Sequence, residues 1–297
     1  MNLIPSESLE EDSDAMIAAF TAAESLSETL PKRKTMDKNN YAAVNKEWWE
    51  KMAKGDCGFT KPWLNLDVKV FRKIAKGELK NLPEPLNDIY PASILSNVKG
   101  RDILCLASGG GQQSAVFALL GANVTVVDIA KGQLEGDKKA AAHYGYKIKT
   151  IQGDMSNLSI LKDNSFDIAY QAPSMTYVMD VKKVYSEVAR VLRSGGLYRA
   201  DAHNPQAFHF EDWDGKGYRI SKPYAVKEQQ RSKKEKVLEY RHYLDETFNG
   251  LVECGFVIER VEEMPKGLYQ SKDDKPGSWG HSLRYIPGIF CILARKK

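Results

Sequence analysis

The 297-residue sequence has no run approaching the ~18–20 consecutive apolar residues of a membrane-spanning helix. Its amino terminus also lacks the basic segment and apolar stretch of a secretory signal. These absences argue against a membrane or exported protein and lead us to expect a soluble, cytoplasmic one. Cysteine is scarce and scattered, at Cys57, Cys105, Cys254 and Cys291. No pair has metal-ligand spacing and most fall in apolar runs, so the spacing predicts reduced thiols, no disulfide framework and no metal site. There is no internal repeat. Basic residues are dispersed apart from the stretch 216–236, which Glu228 and Glu235 interrupt, so a nucleic-acid surface is disfavoured.

Charge of one sign is missing locally. Residues 1–31 hold seven acidic side chains and no Lys or Arg, which argues against a mitochondrial transit peptide. The other 32 acids face all 43 basic residues, an excess of +11 in the remainder. The reading is an acidic, flexible leader over 1–37, with a short apolar patch at Met16–Phe20, followed by one domain over 38–297. With 42% apolar residues that domain can bury an ordinary core.

From Asn40, Tyr41, Val44, Trp48 and Met52 recur at helical spacing, which predicts an amphipathic helix. From Arg101 onward, short apolar runs alternate with helical patterns. ILCLA, VTVVDI, KIKTIQ, FDIAYQA and GLYRADAH are the strand candidates, and 112–120, 131–144 and 181–192 the helices between them. That alternation implies right-handed crossovers and a doubly wound, mostly parallel α/β sheet of Rossmann-like type. After His203 the rhythm breaks into a polar and aromatic stretch, read as a cap insertion over 204–239, with a helix from about Tyr243 to Glu253 beyond it. Two further strand candidates, 256–261 and 285–294, close the chain, and an antiparallel C-terminal strand is expected.

The chemistry-bearing constellation sits at the strand ends. ILCLA runs into Ser108-Gly109-Gly110-Gly111-Gln112-Gln113 and then a helix, where glycine permits the sharp turn and the close approach of a ligand to the main chain. Gly109-x-Gly111-x-x-Ser114 also nearly matches a dinucleotide fingerprint, so the loop alone does not decide between ligands. Asp128 ends the second strand, nineteen positions after Gly109, where a carboxylate can accept from both ribose hydroxyls. Asp154, in Gly153-Asp154-Met155 after the third strand, can accept from an adenine amino group. That second acid favours a nucleoside other than a simple dinucleotide.

With LASGGGQQS, Asp128, GDM and RVLRSGGLYRA in these positions, the chain from about residue 40 to its end resembles the class I S-adenosylmethionine-dependent methyltransferases. LCLASGGGQQ, 170–178, EYRHYLDETFNG and YIPGIFCILARK look like a largely bacterial subgroup of small-molecule-type methyltransferases. The resemblance implies S-adenosylmethionine as cofactor. It implies contacts from Ala107, Ser108, Gly109, Gly110, Gly111, Gln112, Gln113, Asp128, Ile129, Asp154, Met155 and Gln171, with Trp48 closing over the sulfonium or adenine. Two residues depart from the family pattern: Cys105 stands where an acid is usual, and Ala107 where the first glycine is usual. The acid helps fix the loop and the methionyl ammonium, so backbone carbonyls at Ala107 or Gln171 are expected to do that work.

The expected activity is methyl transfer to a small-molecule acceptor; RNA or protein side-chain methylation, or cofactor binding without turnover, remain the alternatives. Gln171-Ala172-Pro173-Ser174 lacks the Asn/Asp-Pro-Pro-aromatic motif of exocyclic-amine methylases, and there is no Pro-Cys nucleophile, so DNA base methylation is disfavoured. Acceptor-side candidates are Tyr177, His203 and His242 as catalytic residues, with Ser174 and Asn204 nearby; histidine can take a proton near neutral pH.

Overall fold

A computed structural model describes residues 38–297 apart from Asp56, 80–81, Glu84, 87–88, 221–222, 231–236 and 265–274; the acidic leader 1–37 lies outside the described residues. The chain opens with helices α1 (Lys38–Lys54) and α2 (Val68–Ala75). Then come β1 (Asp102–Leu106), α3 (Gln113–Leu119), β2 (Asn123–Asp128), α4 (Lys131–Tyr144), β3 (Lys149–Gln152), β4 (Phe166–Gln171), α5 (Val181–Val191) and β5 (Leu192–His203). Short strands β6 (Phe210–Trp213), β7 (Tyr218–Ile220), β8 (Glu228–Gln230) and β9 (Leu238–Tyr240) precede α6 (Leu244–Glu253), β10 (Phe256–Met264), α7 (Trp279–Ser282) and β11 (Ile289–Lys296). No helix among the described residues is long and apolar enough to cross a membrane.

Seven strands form one sheet in the order β10-β11-β5-β4-β1-β2-β3. β1 to β5 pair in parallel, and β11 runs antiparallel to both β5 and β10. The central strands are apolar on both faces, as a sheet covered by helices on each side requires. Leu104 and Leu106 of β1 enter one core with Val184, Val188 and Val191 of α5. Ile103 and Cys105, one residue out of phase, enter the other core with Ala115, Val116 and Phe117 of α3. Val181, Val184, Tyr185, Val188 and Val191 recur at helical period and are all buried, while Asp180 caps the helix by accepting from the Lys183 N–H.

Two local readings change. The buried face of α1 carries Tyr41 and Asn45 rather than Tyr41 and Val44, because Asn45 is fully bonded to β9 and a polar residue gives no hydrophobic signal. The strand expected at GLYRADAH begins earlier, at Leu192, and Gly195-Gly196 lie inside β5 as a bulge: Phe166 pairs with Leu192 but Ile168 with Leu197, so the extra residues loop out around Gly195 at φ +74°. The parallel strands put the loops after β1, β2, β3, β4 and β5 at one carboxyl edge, which is where an open α/β sheet binds its ligands.

Candidate functional site

The glycine loop after β1 is held from below by two buried carboxylates. The Gly109 N–H donates to Asp128 Oδ2 (3.0 Å). The Gly110 N–H donates to Asp137 Oδ2 (3.1 Å) and shares the Gln133 carbonyl (3.0 Å). Gly111 N–H and the Ser114 hydroxyl both donate to Asp137 Oδ1. Glycine is required here by contact as well as by conformation: a Cβ on Gly111, at φ +76°, would stand 2.5 Å from the Gly136 carbonyl oxygen of α4. Burial pushes the Asp128 carboxyl up to about 6 and the Asp137 carboxyl up to about 7, against the hydrogen bonds that favour ionisation.

This geometry separates the two readings of the loop. A pyrophosphate-binding loop aims its N–H groups at an anionic ligand. Here three successive N–H groups face inward to Asp128 and Asp137, so the floor of the site is anionic. It fits a cationic ligand such as a sulfonium amino acid and repels a dinucleotide phosphate. Beside the carbonyls of Ala107 and Gln171 expected to do the work of the missing acid, a carboxylate on α4, Asp137, grips the loop. The Gln171 carbonyl accepts from Arg199 Nη1 (3.2 Å). Asp137 was invisible in the sequence because it reads as one more charge on a Lys-rich helix.

The other loop residues fix its ends. Ala107 occupies the left-handed region at φ +46°, the conformation that favours glycine, rather than one a Cβ tolerates easily. The Ser108 hydroxyl donates to the Leu106 carbonyl (2.9 Å) and accepts from the Ala172 N–H (3.2 Å), tying β1 to β4. Gln112 Nε2 donates to the carbonyls of Gly58 (2.9 Å) and Lys61 (3.0 Å), and the Trp63 N–H donates to the Gly111 carbonyl (3.1 Å), so the segment 58–63 is strapped to the loop. Gln113 begins α3 and is half-buried.

At the nucleoside end, the Gly153 N–H donates to the Asp128 carbonyl (3.0 Å) and sets the ends of β2 and β3 side by side. Asp128 Oδ1 also accepts from the Ala130 N–H (2.9 Å), and Ile129 between them is half-buried. Asp154 Oδ1 accepts from both the N–H and the hydroxyl of Ser156 (2.8 Å each), which orients that carboxylate. Met155 and Gln171 turn into the core: Gln171 Nε2 lies 3.3 Å from the Met155 sulfur, and Gln171 Oε1 accepts from the Tyr198 hydroxyl (2.5 Å). The Gln171 side chain is fully buried, so it braces the sheet and does not reach the loop.

Helix α1 covers this end in a way the sequence did not reveal. The N-cap of α4 is Ala130, which has no side chain to satisfy the first N–H groups. Glu50 of α1 does so from 81 residues away, accepting from Lys131 N–H (2.6 Å) and Gly132 N–H (3.0 Å). Trp48 lies beside Lys51, whose ammonium is 5.9 Å from the ring centroid, while its neighbour Trp49 meets Tyr177 edge-on at 5.5 Å.

On the acceptor side the three catalytic candidates do not form one constellation. His203 and His242 line a small cavity with Thr176 and Tyr185, whereas Tyr177 packs on Trp49. His242 Nε2–H is shared between the carbonyls of Met175 (3.0 Å) and Val178 (2.9 Å), and burial lowers its pKa, so it is neutral near pH 7 with that nitrogen protonated. Ser174 donates to the Ala172 carbonyl, and Asn204 Nδ2 donates to the Pro287 carbonyl, both as loop braces. Within 204–239, β6 pairs with β7, and β8 with β9. Trp213 and Tyr218 cluster with His281 and Tyr285, and the Tyr218 hydroxyl is 2.7 Å from His281 Nδ1. Tyr224 stacks on Tyr243 at 4.9 Å. The side chains of Phe208 and Phe210 lie outside the described residues.

Comparison with known proteins agrees with the geometry. Residues 104–200 match a family model described as a methyltransferase domain. Over 245 residues, 79% of this chain and 92% of the relative, the chain is 31% identical to the uncharacterized methyltransferase YbaJ of Bacillus subtilis. The fold is shared with an S-adenosylmethionine-dependent methyltransferase from Mesorhizobium loti (TM-score 0.57, 23% identity, 79% of this chain and 100% of that one). It is shared also with geranyl diphosphate C-methyltransferase from Streptomyces coelicolor (TM-score 0.57, 16% identity, 90% and 100%), a structure that holds S-adenosyl-L-homocysteine. Sheet order, an anionic floor under the glycine loop, and identity along nearly the whole of a relative lead to one conclusion: the chain belongs to the class I S-adenosylmethionine-dependent methyltransferases, enzymes that use S-adenosylmethionine as cofactor.

Proposed function

We propose that the domain 38–297 transfers the methyl group to a small-molecule acceptor enclosed beneath the 204–239 segment. The observation that carries this is the closure of the carboxyl edge by mutually bonded pieces. Tyr41 of α1 donates to the Thr176 carbonyl (3.3 Å). Asn45 pairs with the backbone of Leu238. His242 holds the turn after β4 through two carbonyls. Such an edge suits a small enclosed acceptor better than the backbone of a nucleic acid or a folded protein. The Streptomyces neighbour's name gives it a small acceptor as well, which is in keeping with this use of the fold.

Bound S-adenosylmethionine supplies an electrophilic methyl on a sulfonium, and displacement there is in line. The chain's residues therefore have to position both reactants and exclude water. In this reading Gly109, Gly110, Gly111 and the braces Ser108 and Gln112 shape the methionyl seat. Asp128 and Asp154 take the ribose and adenine, and Ile129 flanks the base. His242 keeps the acceptor wall in place through Nε2–H, and only its Nδ1 is left to accept a proton; His203 lines the same wall.

The test is a radiolabelled methyl-donor screen of the full chain against a cell extract split into macromolecule-free metabolites, RNA and protein. Label in the metabolite fraction is the expected result. Label confined to RNA, with binding that weakens steeply in salt, would replace this reading with RNA methylation.

A further inference from the structure

We propose that Asp137 is a positioning and selectivity residue that replaces, from helix α4, the acid missing at Cys105, and that its charge makes the site prefer the sulfonium cofactor to the demethylated product. The inference rests on family membership and is independent of the acceptor's identity. Four observations carry it.

Asp137 is wholly buried, and its two oxygens collect three donors from the site itself: the N–H groups of Gly110 and Gly111 and the Ser114 hydroxyl. No Lys or Arg is paired with it among the described residues, so its charge is not cancelled locally. The backbone geometry around it is single-purpose, because Gly136 lets α4 approach the loop so closely that a Cβ there would stand 2.8 Å from the Gly110 carbonyl oxygen. The Asp137 carboxylate acts electrostatically on Cys105 of β1 and raises that already buried thiol further. Two carboxylates in that space would repel, so an acid on α4 accounts for a neutral residue on β1.

The consequence is electrostatic. S-adenosylmethionine carries a net positive charge and S-adenosylhomocysteine none, while both offer the same nucleoside and amino-acid groups. A buried, uncompensated anion under the loop favours the first over the second and helps the product leave after each methyl transfer. The groups facing Asp137 are Ser114 from α3, Cys105 from β1, Asp128 from the end of β2 and Tyr146 after α4. Of these only Asp128 titrates near it, at about 6, and in the same direction. Burial places the Asp137 carboxyl at about 7, so its charge is lost on mild acidification.

Titration calorimetry of the full-length protein with each ligand, from about pH 6 to about pH 8, tests this. The affinity ratio of S-adenosylmethionine to S-adenosylhomocysteine should rise with pH in the unaltered protein. The sulfonium makes the α-ammonium of S-adenosylmethionine the more acidic of the two, which lowers the ratio toward pH 8 and so cannot imitate the expected rise. Asp137→Asn should lower the ratio roughly tenfold and flatten its dependence around pH 7. Ser114→Ala removes a hydrogen bond that favours the ionised carboxylate, so it should move the rise in the ratio to higher pH. Adding Cys105→Asp to Asp137→Asn should recover part of the ratio. Equal losses for both ligands in Asp137→Asn, with circular dichroism showing an intact fold, would mean a purely structural role and overturn the proposal. If Asp137→Asn does not fold, the unaltered protein still decides, since a ratio below one at about pH 7.5, with S-adenosylhomocysteine the tighter ligand, is incompatible with selection by this carboxylate.

Discussion

Asn45 and Leu238, 193 positions apart, exchange two hydrogen bonds: the asparagine Nδ2 donates to the Leu238 carbonyl (3.0 Å) and its Oδ1 accepts from the Leu238 N–H (2.8 Å). A side-chain amide thus completes the edge of β9 as a neighbouring strand would, and it joins α1 to the chain leading into α6. Asn45→Ala leaves a buried donor and acceptor unpaired, which costs about 1–3 kcal/mol for each group left unsatisfied. Chemical denaturation should show a loss of about 2–6 kcal/mol for the two groups together, and limited proteolysis should cut near β9 sooner. Stability within about 0.5 kcal/mol of the parent would show that the pair is made up elsewhere.

A second expectation concerns backbone strain at the first position of the loop. Ala107 at φ +46° bears a Cβ in a region that costs an L-residue roughly 1–2 kcal/mol. Glycine removes that strain but adds freedom to the unfolded chain, a loss of roughly 0.4–1 kcal/mol. Ala107→Gly should therefore raise stability by a net amount of up to about 1.6 kcal/mol. A lower denaturation midpoint in the variant would contradict the strained conformation.

Much of this site could be read from spacing, and the unread part has a physical pattern. The strand ends, the glycine loop, Asp128 and Asp154 follow one another at intervals that a strand-turn-helix repeat imposes, so local sequence exposes them. Asp137, Glu50 and Asn45 do not show themselves, because each acts across the fold on backbone groups of another element. Asp137 has Lys138 and Lys139 beside it and looks solvent-exposed until Gly136 is seen against the loop. Trp48 and Trp49 are adjacent, and helical phase alone chose the first, whereas only packing on Tyr177 selects the second. Gln171 carries a polar side chain at a strand end, yet Tyr198 and two methionine sulfurs enclose it.

His242 provides a pH expectation with a definite sign. Its folded pKa is depressed by burial, so the stability it contributes is complete above the unfolded value of about 6.5 and is lost as pH falls toward the folded value. One such group changes the slope by at most about 1.4 kcal/mol per pH unit. Comparing denaturation curves of the parent and His242→Gln between pH 5 and 8 should show the parent losing more on acidification. If instead the curves run parallel while an ascending limb of kcat/KM disappears in the variant, His242 serves as a base through Nδ1 and not as a brace for the turn after β4.

The last expectation concerns the aromatic cluster beyond β5. Trp213 of the β6–β7 hairpin touches Tyr218, His281 and Tyr285, with ring centroids 4.7–5.5 Å apart, so the hairpin is pinned to α7 and to the chain leading into β11. β11 starts by pairing Ile289 with His203, the residue that ends β5, which sets this cluster at the carboxyl edge of the sheet. If the hairpin walls the acceptor, Trp213→Ala should raise the acceptor KM several-fold and leave the affinity for S-adenosylmethionine unchanged, because the proposed cofactor seat lies on β1, β2, β3 and α4. The loss of packed aromatic area should also cost about 3–5 kcal/mol if the ring is as enclosed as a core residue, and less in proportion to its exposure. Trp213→Phe separates the two effects, since it retains most of the packing. A normal acceptor KM in Trp213→Ala, measured on the acceptor found in the metabolite screen, would assign the hairpin a structural role and leave the acceptor to be held by the turn after β4 and by α6.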